Sequence, residues 1–201
     1  MGLTAKQPHI ELWNTELYGG GPQYTDFPVD KKAAFAMCVL LFNAQSRGYV
    51  TLRKDDHLGP PVVDSNYLAD PLDELVLAEG CKIANEILME GQPTKEVIKG
   101  AWPETLMHHL NASNEEWSVF VKETVGTCYH PSGTCKMVDS KKEDRDRMGV
   151  VDERLRVLGV RGLRVVDVSI MPIVNNGHTQ MPAYAIGEKA TVMIREDAKG
   201  L

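Results

Sequence analysis

Residues 128–135 read CYHPSGTC, a run with the apolar periodicity of neither a helix nor a strand. A histidine and two cysteines lie in this run, beside a proline and a glycine that favour a turn. Three kinds of site use such residues: a metal centre, a disulfide loop, and one half of a catalytic centre. The turn would present His130, so the nature of the site depends on which partner this side chain has.

A structural zinc site matches this run poorly. Zinc usually takes four ligands, often as two close pairs of Cys or His. Cys128, His130 and Cys135 are irregularly spaced, and no second pair lies close to them in the sequence. A Cys128–Cys135 disulfide is sterically conceivable, but it would close a small loop and add little stability. Both alternatives stay open on these residues alone.

The best candidate partner for His130 lies downstream, in the stretch NNGHTQMPAYAIGEKA (residues 175–190). His178 follows a small polar loop there and stands just before a predicted helix, Pro182–Ile194, in which the proline suits the first turn. On the residues alone a structural interpretation is preferred for both histidines, with His130 capping a turn and His178 exposed in a loop, because isolated histidines are usually structural. A catalytic interpretation would pair the two imidazoles.

The remaining segments predict a mixture of strands and helices. Residues 1–30 are polar and rich in turn formers, and the segments 33–42 and 48–52 predict an antiparallel hairpin. Beyond the motif, short strands are predicted at 150–151, 155–157 and 163–166. Cys38 lies in one predicted strand and Cys81 in a predicted helix, so both are interpreted as small core residues.

Two helices carry clear start signals. In residues 70–91, Asp70 is placed as the N-cap, Pro71 occupies the first helical position, and Gly91 ends the helix. Ser113 and Glu116 have the spacing of a capping box, which predicts a second helix start. The apolar face of this second helix is expected to comprise Trp117, Phe120 and Val121.

The composition is that of an ordinary folded protein of one domain or two small ones, with 201 residues, 43% hydrophobic and 25% charged. The net charge of −6 argues against nucleic acid as a partner, because nucleic acid is also negatively charged. The longest apolar run, residues 33–42, is too short to cross a bilayer, so no membrane partner is expected. The first thirty residues show no secretory signal, and the compartment is left open.

Four stretches together resemble the C-terminal part of the flavin-dependent glucose-methanol-choline (GMC) oxidoreductases, in that family's order. They are SRGYVTL (46–52), NYLADPLDELVLAEG (66–80), YHPSGTCKM (129–137), and VVDERLRVLGVRGLRVVDVSIMP (150–172) running on to His178. The last two are highly specific in combination, and the resemblance covers roughly residues 30–197.

The resemblance implies a mixed α/β (α+β) fold in two parts. Residues 1–127 would form a portion of the substrate-binding domain, an antiparallel sheet flanked by helices. Residues 128–201 would hold the active-site motif and the C-terminal strands and helix of a Rossmann-like FAD-binding domain. A catalytic half-site is then preferred over a metal centre or a disulfide.

The resemblance also implies the chemistry and the site. The family oxidises CH–OH groups of alcohols or sugars and passes a hydride to FAD, so a small-molecule alcohol is the expected substrate. His130 is the expected base, with His178 holding the same oxygen, because a neutral imidazole can accept a proton near neutral pH. The expected cofactor contacts are Asp167, Val168, His178, Thr179, Gln180, Met181 and Pro182. The N-terminus of the final helix would stabilise the negative charge of reduced flavin.

One feature of the family is missing from the sequence. The family binds FAD through an N-terminal G-x-G-x-x-G, and this chain contains no such motif. We therefore expect the C-terminal portion of a longer enzyme, which could require the missing N-terminal FAD-binding portion. Two alternatives stay open: an enzyme like the hydroxynitrile lyases of the family, which hold FAD without a redox step, and a truncated product without catalysis.

Overall fold

The structure is a computed structural model, and it describes residues 4–15, 33–34, 36–100, 112–142 and 148–200. The chain divides into two compact units, residues 1–128 and residues 129–201. The triple glycine at 19–21 that marks a predicted loop lies outside the described residues. Within the described residues, no helix combines the length and the apolar character needed to cross a membrane.

The strands of the first unit form two separate antiparallel ribbons. They are β1 (Ile10–Thr15) with β2 (Ala36–Leu41), and β3 (Tyr49–Thr51) with β4 (Val62–Asp64). The predicted hairpin between segments 33–42 and 48–52 is therefore wrong, because each segment pairs with a different strand. The strand β1 was not predicted, since it lies in a stretch interpreted as polar loop.

The residues that link β2 to β3 explain why no hairpin forms there. The carboxylate of Asp73 is buried, at 3% exposure, and it accepts the backbone N–H groups of Gln45 at 2.7 Å and Ser46 at 2.8 Å. These two bonds hold the link against a helix instead of closing it into a tight turn. The chain then runs on to β3 without folding back on β2.

Three helices follow in the first unit: α1 (Pro71–Glu90), α2 (Thr94–Val97) and α3 (Asn114–Thr124). The predicted caps are confirmed. Asp70 accepts the N–H of Leu72 at 2.9 Å, and Gly91 is the C-cap of α1. In the capping box, Glu116 N–H donates to Ser113 Oγ at 3.3 Å, and Ser113 N–H donates to the Glu116 carboxylate at 2.8 Å. Local hydrogen bonding therefore sets both helix starts.

The core of the first unit is built where α1 and α3 pack together. Its buried residues are Ala78, Ala112, Trp117 and Val121, with Phe120 and Cys81 packed against them. Burial raises the pKa of the Cys81 thiol to about 12, which keeps it neutral. Apart from Asp73, the buried positions of α1 are the small residues Ala78, Gly80 and Ala84, whereas Ile83 is 43% exposed. A Cβ at Gly80 would lie 2.6 Å from Val39 Cγ1, so this glycine permits the close approach of α1 to β2.

The second unit contains a 3-10 turn, Val168–Ile170, and the helix α4 (Gln180–Lys199). The predicted final helix, 182–194, is thus longer at both ends. The strands predicted before it pair only as single-residue bridges: Met137 with Val151, Val151 with Val157, and Arg156 with Arg164. Tight turns cause this, because the chain reverses at 152–155 and again at 157–160. The mixed α/β fold itself is confirmed.

A core and an ion cluster hold α4 in the second unit. The core residues are Val151, Leu155, Ile170 and Ala190. Near the end of α4, the Asp197 carboxylate accepts from Arg156 at 2.5 Å, from Arg164, and from Arg154 at 2.8 Å. Arg156, followed by Arg164 and Arg154, holds the pKa of Asp197 well below its usual range. The cluster ties the helix to the extended segments that precede it.

Candidate active site

The two histidines singled out by the sequence lie together. His130 Nε2 is 2.7 Å from His178 Nδ1, although the residues are 48 positions apart in the chain. Their rings meet edge to face, with centroids 4.9 Å apart and planes at 71°. His130 is half-buried and His178 is exposed. One ring nitrogen of each histidine therefore lies within hydrogen-bond distance of the other.

The loop that carries His130 is fixed by backbone contacts with the 3-10 turn. Cys135 N–H donates to Ser169 O at 3.0 Å, and Met137 N–H donates to Ile170 O at 2.7 Å. Gly133 has φ +82°, and a Cβ there would lie 3.2 Å from Met171 O. Both features disfavour a residue with a Cβ, so glycine is the residue best suited to this position.

Tyr129, the residue before His130, also has a left-handed backbone, with φ +62°. A bulky residue rarely takes this conformation, and such strain concentrates at functional positions. It turns the chain sharply just before the histidine. The left-handed residues Tyr129 and Gly133 therefore lie on either side of His130 in the chain.

Asp167 and Val168 lie at the 3-10 turn, before the loop that leads to His178. The Asp167 carboxylate accepts Ser169 N–H at 2.8 Å and so caps this turn. The predicted cofactor residue is therefore engaged in a local structural bond. In the loop beyond, the side-chain amide of Asn175 donates to His178 O at 3.4 Å.

Thr179 adds a third member to the site. Its side chain is buried, and Oγ1 lies 2.9 Å from His130 Nδ1. Thr179 occupies the N-cap position of α4, yet its side chain makes no capping hydrogen bond. The sequence predicts Thr179 only as a cofactor contact, and its one sequence signal is its place beside His178. The three side chains form a continuous series: Thr179, His130, His178.

This geometry bears on the two alternatives for residues 128–135, a disulfide and a metal site. Cys135 carries a free thiol, so a Cys128–Cys135 disulfide is not formed. Among the residues that the structure describes, no three or more His, Cys, Asp or Glu side chains are grouped as metal ligands. Both ring nitrogens of His130 lie within hydrogen-bond distance of Thr179 and His178 instead.

The start of α4 fits the contacts expected for a flavin. Because the Thr179 side chain does not cap the helix, it leaves the N–H groups of Gln180 and Met181 to other partners, while Pro182 has no N–H. Gln180 is exposed and Met181 is 74% exposed, so this end is accessible. The N-terminus of a helix stabilises negative charge, and the electron-rich edge of a flavin ring would bring such charge to this position. The residues 178–182 are thus suited to the cofactor that the sequence implies.

A comparison of the sequence with protein-family models shows which family the chain belongs to. The model described as GMC oxidoreductase matches residues 44–187, most of the chain. The chain belongs to the GMC oxidoreductase family. It corresponds to the C-terminal portion of these FAD-linked oxidoreductases, as the four sequence stretches predict.

Curated GMC relatives extend well beyond this chain. Glucose dehydrogenase (FAD, quinone) of Drosophila pseudoobscura pseudoobscura is 41% identical over 163 residues, covering 77% of this chain and 24% of the relative. Versicolorin B synthase of Aspergillus parasiticus is 38% identical over 168 residues, covering 84% and 24%. The chain therefore spans about a quarter of the length of these relatives.

Solved structures of related oxidases also match most of this chain and a third or less of their own length. A variant of the formate oxidase of Aspergillus oryzae RIB40 matches with a TM-score of 0.81 and 30% identity, over 98% of this chain and 33% of that protein. A fungal aryl-alcohol oxidase matches with a TM-score of 0.66 and 25% identity, over 87% of this chain and 27% of that protein. The fold of the GMC oxidoreductases is shared along nearly the whole chain.

Proposed function

We propose that the chain carries the proton-handling half-site of an FAD-dependent oxidoreductase that acts on CH–OH groups of an alcohol or sugar. The 2.7 Å contact between His130 Nε2 and His178 Nδ1 is the observation that supports this most strongly. In this proposal, residues 1–127 are a portion of the substrate-binding domain. Residues 128–201 supply the active-site motif and the return to the FAD-binding domain.

The histidine pair suits the removal of a hydroxyl proton. Oxidising an alcohol removes a proton from oxygen and a hydride from carbon. A substrate hydroxyl that replaces the direct His130–His178 hydrogen bond could donate to one ring nitrogen and accept from the other. We assign His130 as the base and His178 as the donor that holds the oxygen in place. The half-buried position of His130 limits competition from water.

When bound, FAD would supply the acceptor of the hydride. The residues proposed to hold it are Asp167 and Val168 at the 3-10 turn, and His178 to Pro182 at the start of α4. The uncapped N-terminus of this helix would stabilise negative charge on the ring. The pyrophosphate would be held elsewhere, because the chain contains no G-x-G-x-x-G.

The proposal is tested by anaerobic flavin reduction with a panel of alcohols and sugars. The chain is assayed alone with FAD, and also as a fusion in which it replaces the matching third of the Aspergillus oryzae formate oxidase. We expect flavin to co-elute with the fusion in gel filtration and to bleach with at least one member of the panel.

Two results would contradict the proposal. One is a fusion that retains flavin but is bleached by none of the alcohols or sugars. The other is cleavage of a hydroxynitrile without any bleaching, which would assign the site to a lyase. Flavin retained by the isolated chain would show that its 201 residues hold the cofactor without the rest of the enzyme.

A further inference from the structure

We infer that Thr179 is a positioning residue that fixes the tautomer of His130. In this inference His130 carries its neutral proton on Nδ1 and donates it to Thr179 Oγ1. His130 Nε2 is then the unprotonated nitrogen that faces His178. The catalytic meaning of this tautomer rests on the proposed function, whereas the tautomer itself does not.

The geometry holds the His130 ring at both nitrogens. Thr179 Oγ1 lies 2.9 Å from Nδ1, and His178 Nδ1 lies 2.7 Å from Nε2. Thr179 is 8% exposed, so water has little access to its hydroxyl. The ring cannot turn over without breaking both contacts. Its Nε2 is therefore directed at His178.

The hydroxyl of Thr179 is not used by the helix that it begins. A threonine at an N-cap normally accepts a hydrogen bond from the second or third N–H of its helix. Thr179 has helical backbone angles, φ −83° and ψ −2°, and makes no such bond. Its side chain contacts His130 instead. The usual structural role of this residue type is thus replaced by a contact with the histidine.

The proposed role of His130 as a base indicates which ring nitrogen carries its proton. A base needs a nitrogen lone pair aimed at the substrate oxygen, and the nitrogen that faces His178 is Nε2. With its proton on Nδ1, His130 accepts from His178 Nδ1–H across the 2.7 Å contact. A substrate hydroxyl that replaces this direct contact would meet the same two groups, donating its proton to His130 Nε2 and accepting from His178 Nδ1–H.

The same arrangement serves the protonated state. After His130 accepts the substrate proton on Nε2, its Nδ1–H still donates to Thr179 Oγ1. The His130 ring therefore keeps its hydrogen-bond partners while it accepts the substrate proton, and the surrounding groups need little rearrangement. A hydroxyl is suited to this position because its oxygen accepts in both states.

The test is the histidine tautomer, measured by 15N nuclear magnetic resonance on the full chain above the titration of its imidazoles. The signals of His130 are assigned by their loss in His130→Ala. We expect the Nδ1–H tautomer to predominate in the parent and in Thr179→Ser. In Thr179→Val the buried N–H would face a methyl group without an acceptor, so the proton should move to Nε2. Thr191→Val, an exposed change on the same helix, should leave the tautomer unchanged.

A parent protein with His130 protonated mainly on Nε2 would overturn the inference, even if Thr179→Val failed to fold. An unchanged tautomer in a folded Thr179→Val would overturn it as well. The measurement uses no flavin. A failure of flavin reduction would therefore refute the proposed function separately, without altering this result.

Discussion

His130 lies between two residues whose backbone is left-handed. Tyr129, just before it, adopts this conformation although it is a bulky residue, and Gly133, three residues after it, adopts it as glycine readily does. Such conformations are maintained only where the surrounding contacts enforce them, here the bonds from residues 135–137 to the 3-10 turn. The placement of the histidine thus depends on neighbours that take no part in proton transfer.

Replacing Gly133 by alanine tests this dependence. The left-handed φ of +82° and the 3.2 Å approach to Met171 O both oppose a Cβ. We expect Gly133→Ala to lower the free energy of unfolding by about 1–2 kcal/mol, measured by urea denaturation. Gly126→Ala is the matched control, because a Cβ there meets nothing within 4 Å. Equal effects of the two changes would contradict the account.

Asp73 is the second residue whose role depends on the tertiary structure. Its buried carboxylate accepts two backbone N–H groups, at 2.7 and 2.8 Å. We expect Asp73→Ala to lower the free energy of unfolding by about 3 kcal/mol, because two N–H groups would lose a charged acceptor. Glu86→Ala, on an exposed position of α1, should change it by about 0.5 kcal/mol or less. A small effect of Asp73→Ala would show that the link to β3 is held by other contacts.

At the scale of elements, the starts of α1 and α3 could be predicted because their signals are local. Asp70 and Ser113 each bond within three residues of their own position. The strand pairing could not be predicted, because the partner of β2 lies upstream and the bond that prevents a hairpin comes from Asp73. In β1, apolar Ile10 and Leu12 alternate with Glu11, a pattern too short to outweigh its polar surroundings.

The element α4 supports a prediction about pH. Arg156, Arg164 and Arg154 lower the pKa of Asp197, so its carboxylate stabilises the fold at pH values above its unfolded pKa of about 3.9. This contribution is lost as the pH falls through the lower, folded pKa. Asp197→Asn should therefore reduce the Tm at pH 7, and the difference from the parent should shrink below about pH 4. A difference that is the same at pH 7 and pH 2 would contradict this assignment.

At the scale of the whole molecule, the site could be predicted in part. The motif at 129–137 and the position of His178 identified the histidine pair, because both belong to specific stretches of the family. The contact between Thr179 and His130 could not be predicted, because it depends on how the α4 N-terminus meets the loop. The substrate is not fixed by either, since the chain spans only 24% of its glucose dehydrogenase relative.

The central claim is that the His130–His178 pair removes the substrate proton, and the rate of flavin bleaching tests it most directly. The rate is measured anaerobically in the formate oxidase fusion, with any alcohol or sugar that reduces the parent. We predict that His130→Ala slows bleaching by about 10²- to 10⁴-fold. His57→Ala, an exposed histidine of the first unit, should leave the rate unchanged. Equal rates in the parent and His130→Ala would contradict the account.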